Sequence, residues 1–97
     1  MTTAKTLIKI LFVEDSIDDA QLLLLELQRG GYEVNFNRVE TAENMQSALT
    51  LETWDIIICD YSLPQFSAPR ALALLQATGL DLPFIIVSGT IGEETAI

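Results

Sequence analysis

The hydrophobic pattern of the chain changes period several times, and this alternation restricts the possible folds more than any other feature. Short apolar runs of strand length are separated by segments with helical spacing. Ile8-Lys9-Ile10-Leu11-Phe12-Val13 is β-branched, ends in acids and predicts a buried strand. Ser16 then suits an N-cap, with Asp18 and Asp19 favourable to the dipole of the first turn. Ile17, Ala20, Leu24 and Leu27 recur at helical spacing, and Gly30-Gly31 supplies the stop. Glu33 to Val39 alternates as a less buried strand would. Thr41 caps a second helix running to about Glu52, with Met45, Ala48 and Leu49 inward. Trp54 to Asp60 holds Ile56-Ile57-Ile58-Cys59, the most strand-like stretch. After a loop with Pro64, Pro69 opens a third helix at its first position. That helix carries Leu72, Leu74 and Leu75 and stops at Gly79. Pro83 to Val87 is a fourth strand, and Gly92 to Ile97 begins a further helix. Alternation at this spacing predicts a parallel sheet wound with helices on both faces.

Composition narrows the function. The 97 residues suit one small domain with a single core. Five Lys+Arg against 14 Asp+Glu give a net charge of −9, which argues against nucleic acid and anionic membrane as partners. There is no histidine, which excludes His-based triads, His-ligated zinc and imidazole acid–base catalysis. The single cysteine cannot form an internal disulfide and suggests a reducing compartment. No apolar run nears the roughly 20 residues of a membrane span, and no signal-peptide pattern opens the chain, so a cytoplasmic setting is expected.

In open α/β sheets, ligands bind beyond the carboxyl ends of the strands. Glu14 and Asp15 follow the first strand, Asp60 ends the third, and Ser88 and Thr90 follow the fourth. Three acids and a hydroxyl therefore meet at one edge if the first and third strands are neighbours. Two carboxylates ~5 Å apart repel by about 3 kcal/mol at an effective dielectric near 20, so such a group calls for a cation. An oxygen-only site suits Mg²⁺ or Mn²⁺ and suits Zn²⁺ poorly. The acidic turn Glu14-Asp15-Ser16-Ile17-Asp18-Asp19 has no glycine-rich phosphate loop and would repel a dinucleotide. Cys59 and Trp54 read as core residues, and Tyr61 borders the site.

Phe12-Val13-Glu14-Asp15-Ser16, Cys59-Asp60-Tyr61-Ser62-Leu63-Pro64 and Val87-Ser88-Gly89-Thr90, in this order, resemble the receiver domain of two-component response regulators. The resemblance spans nearly the whole chain. It implies a flavodoxin-like doubly wound fold with strand order 2-1-3-4 here, the family's fifth strand and last helix being missing from residues 1–97. It implies Asp60 as phosphoacceptor from a histidine kinase or phosphotransfer protein. It implies Mg²⁺ on Glu14, Asp15, Asp60 and the backbone carbonyl of Ser62, with Ser88 as the switch hydroxyl and Pro64 shaping the loop. The family's fifth strand carries a lysine that contacts the phosphoryl group. No lysine here can replace it by position, so the chain is expected to be a fragment of a longer protein.

Val87 to Glu94 is also similar to receivers joined to sensor kinases, which makes an attached output or kinase domain an expected partner. An uncovered fourth strand would favour pairing with a second copy. Two alternatives remain: a receiver-like interaction module that does not switch, and a Mg²⁺-dependent phosphohydrolase. The usual hydrolase pattern places a second Asp two residues after the nucleophile, where this chain has Ser62.

Overall fold

The computed structural model describes residues 6–61 and 66–87. The elements alternate along the chain: β1 (Thr6–Val13), α1 (Ile17–Arg29), β2 (Tyr32–Val39), α2 (Ala42–Leu51), β3 (Ile56–Asp60), α3 (Ala68–Thr78) and β4 (Phe84–Val87). The four strands form one sheet in the order β2-β1-β3-β4, and every pairing is parallel. This is the α/β architecture expected from the sequence, consistent with a flavodoxin-like fold.

Each helix starts where a short polar side chain satisfies an otherwise orphaned amide. Ser16, Thr41 and Ser67 accept from the backbone N–H of Asp19, Asn44 and Arg70 at 3.2, 3.1 and 3.3 Å. Pro69 sits one residue deeper than its role as opener requires, because Ser67 is the cap and Ala68 the first helical residue. Proline is still tolerated there, since first-turn amides have no partner within the helix. Gly79 closes α3 at φ 78°, a left-handed conformation that costs a side-chain-bearing residue more than glycine.

Successive strand residues point to opposite faces, so the sheet feeds two cores. On the α2/α3 face, Leu11, Val13, Ile57 and Cys59 pack with Met45, Leu49, Ala71 and Leu75. On the α1 face Ile10, Phe12 and Ile58 form a smaller buried cluster, flanked by half-buried Leu23, Leu27, Val34 and Val87. Ala20 is buried and Leu24 and Leu27 are half-buried, as their spacing predicts, but Ile17 is 55% exposed. It stands at the first helical position, where little of the sheet lies beneath it. At the sheet edges, Phe36 of β2 meets Phe12 edge-on at 5.5 Å between ring centres, while Ile85 and Ile86 of β4 stay nearly half exposed. Among the described residues β4 pairs with β3 alone. The expected helix start at Gly92 to Ile97 lies outside the described residues.

The two isoleucine environments differ enough to be told apart by stability. Ile57 is fully buried and Ile86 is 47% exposed. Ile57→Val is expected to cost about 1 kcal/mol, and Ile86→Val less than about 0.5 kcal/mol. Urea unfolding midpoints at constant slope measure both.

Candidate metal centre

The site is built by strand order. β1 and β3 are direct neighbours, with Val13 opposite Cys59. Glu14 and Asp60 follow these two residues, so the topology sets them side by side at the carboxyl edge. The carboxylates of Glu14, Asp15 and Asp60 all lie within 4.8 Å of one another. Glu14 is 6% exposed and Asp60 4%, the buried polar residues among the described ones, whereas Asp15 is exposed to solvent.

Local hydrogen bonds fix this edge. The Glu14 N–H donates to the Val39 carbonyl at 2.9 Å, continuing the β1–β2 ladder past Val13. One Glu14 carboxylate oxygen accepts from the Ser16 N–H at 3.0 Å. The Tyr61 N–H donates to the Val87 carbonyl at 2.7 Å, so the residue after Asp60 is still held to β4. A cleft of about 420 Å³ opens beside the acids, and its lining includes Glu14 and Asp60 as well as Phe12, Leu22, Leu23 and Ile58.

These surroundings act on the charges. Burial pushes the Glu14 carboxyl up from 4.5 to about 7. The Ser16 amide opposes this shift, and the neighbouring Asp60 charge and a hydrogen bond with Asp15 add to it. Burial, followed by the charges of Asp60 and Glu14, pushes the Cys59 thiol up to about 12, which keeps it a neutral core group.

The donor set fits a hard divalent cation. It consists of oxygen ligands from two buried carboxylates and one exposed carboxylate, with no buried imidazole or thiolate among them. A cation there would offset the burial and the neighbouring negative charge that raise the Glu14 carboxyl.

The structure thus brings together Glu14, Asp15 and Asp60 of the residues expected at the site. Ser62 and Pro64, and Ser88 with Thr90, lie outside the described residues. Asp18 is exposed on the first turn of α1, as a dipole partner would be, while Asp19 also reaches the lining of the cleft. One residue at this edge escaped the sequence reading. Arg38 of β2 donates to the Glu14 carbonyl at 3.0 Å and to the Glu40 carboxylate at 3.2 Å. The available signal was its place next to the end of a strand that neighbours β1. Compared with known proteins, the chain matches no family model and no curated sequence. Among the described residues, no helix is long and apolar enough to cross a membrane.

The raised Glu14 carboxyl gives metal-free stability a definite pH dependence. Folding is penalised above about pH 7, where Glu14 must be charged in both states. The penalty is relieved as pH falls toward 4.5, because only the folded form binds the proton in that window. Unfolding free energy in EDTA should therefore rise between pH 8 and pH 5, by on the order of 3 kcal/mol. Glu14→Gln should be the more stable form at pH 8 and should lose most of the slope. A parent and variant with parallel pH profiles would contradict this assignment.

Proposed function

We propose that the chain is a phosphoacceptor receiver domain of two-component signalling. Asp60 is the acceptor, and Glu14, Asp15 and Asp60 hold Mg²⁺ together with the backbone carbonyl of Ser62. The observation that carries this reading is the placement of Asp60, buried at the carboxyl end of β3 within 4.8 Å of two further carboxylates. The ordered motifs around Glu14-Asp15, Asp60 and Ser88 support it from the sequence.

A carboxylate is a weak nucleophile, and phosphoryl transfer asks the protein mainly for positioning and charge compensation. One Asp60 oxygen forms a bond to phosphorus while the P–N bond of the donor phosphohistidine breaks. The leaving imidazole keeps the bonding electrons and takes up a proton, and Asp60 becomes an acyl phosphate. β3 limits where the Asp60 oxygens can go, because the residues on either side of it are bonded into the sheet. Glu14 and Asp15 would hold the cation, which when bound neutralises charge on the carboxylates and the incoming phosphoryl oxygens. Ser88 would bond a phosphoryl oxygen in the product and bias the adjoining loop. The signal then passes to a partner or to an attached output domain.

Two measurements test the reading. Mg²⁺ at 100 times its dissociation constant adds about 2.7 kcal/mol to stability. For a domain of this size that raises the melting temperature by on the order of 10 °C. No rise in a folded sample would remove the metal from the proposal. Acetyl phosphate with Mg²⁺ should add one phosphoryl group, seen by mass spectrometry, and EDTA should prevent it. Asp60→Asn should abolish the label while keeping metal-free stability level or higher, because the amide is nearly isosteric and relieves repulsion. A variant that labels as well as the parent would show that Asp60 is not the acceptor.

A further inference from the structure

From the geometry at the end of β2, we infer that Arg38 is a positioning residue for the acid cluster: its guanidinium, bonded to the Glu14 carbonyl, fixes the peptide that joins Glu14 to Asp15. The inference rests on the metal-binding reading of that cluster and names a residue that helps to shape it.

Arg38 lies opposite Phe12 in the β1–β2 register, two positions before Glu14 on the neighbouring strand. From there one Nη1 reaches the Glu14 carbonyl at 3.0 Å. The same nitrogen lies 3.2 Å from a Glu40 carboxylate oxygen, which holds the guanidinium from the other side. The Arg38 side chain is 27% exposed and the Glu40 side chain 49%. An ion pair so exposed adds little stability by itself. Its effect is to restrict the rotation of the guanidinium.

β2 therefore grips Glu14 at both backbone groups. The Val39 carbonyl accepts from the Glu14 N–H at 2.9 Å, and Arg38 donates to its carbonyl. The peptide group is planar, so fixing the Glu14 C=O also fixes the direction of the Asp15 N–H and the Asp15 Cα. Glu14 and Asp15 must point their carboxylates toward Asp60 from adjacent residues of a turn. Free rotation of the peptide between them would swing the exposed Asp15 carboxylate out of that group. The Ser16 N–H belongs to the next peptide, which starts from the Asp15 Cα so fixed, and it closes the turn on the Glu14 carboxylate at 3.0 Å. Arginine suits the task because a terminal guanidinium nitrogen carries two N–H donors and can bond a carbonyl and a carboxylate together.

The experiment compares the 97-residue parent with Arg38→Met and Arg38→Lys by two readouts. The first is Ser16 amide hydrogen exchange in EDTA, by NMR. The second is the dissociation constant for Mn²⁺, from the free-ion EPR signal. Arg38→Met should speed Ser16 exchange about tenfold and weaken Mn²⁺ binding by at least about tenfold, the usual range for partners that orient metal ligands. Arg38→Lys should recover part of both, which a purely structural loss would not. Amide exchange in the centres of β1 and β3 should not change. Parental Ser16 exchange and Mn²⁺ affinity in both variants would overturn the inference. Should Arg38→Met fail to fold, Arg38→Lys decides: values equal to the parent's in both readouts overturn the inference, and weaker values support it. A parent that takes up no Mn²⁺ counts against the metal reading, while Ser16 exchange still decides the role of Arg38.

Discussion

The parallel pairing of β1 with β3 is the contact on which the remaining structure depends. It crosses a long stretch of chain, because α1, β2 and α2 all intervene between the two strands. It places the two most apolar strands at the centre of the sheet, where Leu11, Ile57 and Cys59 are fully buried. The same register sets the residues just past those strands next to each other. A slip of one position would move each strand's side chains to the opposite face and expose the inner set. The packing that secures the core therefore also secures the separation of the carboxylates.

That coupling works against stability at the carboxyl edge. Glu14 and Asp60 are withdrawn from water by the same strands that bring them together. The consequence is the elevated Glu14 carboxyl, poised near neutrality. A cation arriving there must displace a proton from part of the population, so uptake of metal and release of protons are linked. Strain of this kind at one edge, within an otherwise apolar core, is the usual mark of a site shaped for a ligand.

Much of this was legible in the sequence because it follows from periodicity. The isoleucine runs, the polar caps Ser16 and Thr41 and the stops at Gly30-Gly31 and Gly79 each carry a local physical signal. The acids could be assigned to one edge because strand ends are readable from the same runs. What escaped the sequence depends on distance along the chain. Arg38 looked like one member of an alternating strand, and its bond to Glu14 spans 24 positions. Ile17 matched the helical spacing, yet periodicity carries no information on how far the sheet extends beneath a helix end. Phe36 alternates correctly but gains its contact from Phe12 of the next strand, which no local pattern specifies.

At the opposite edge stands Trp54, the sole tryptophan. It is 7% exposed, its indole N–H donates to the Ala48 carbonyl at 2.9 Å, and the Lys9 ammonium lies 5.4 Å from the ring centre. Six positions of chain, the last ones in β3, separate it from Asp60, at most roughly 20 Å at the rise of a β-strand. The chain thus carries a natural optical probe that looks at the joint between α2 and the sheet. Its emission colour should follow loss of the core while remaining blind to what the acids hold, so the two events can be watched independently in one cuvette.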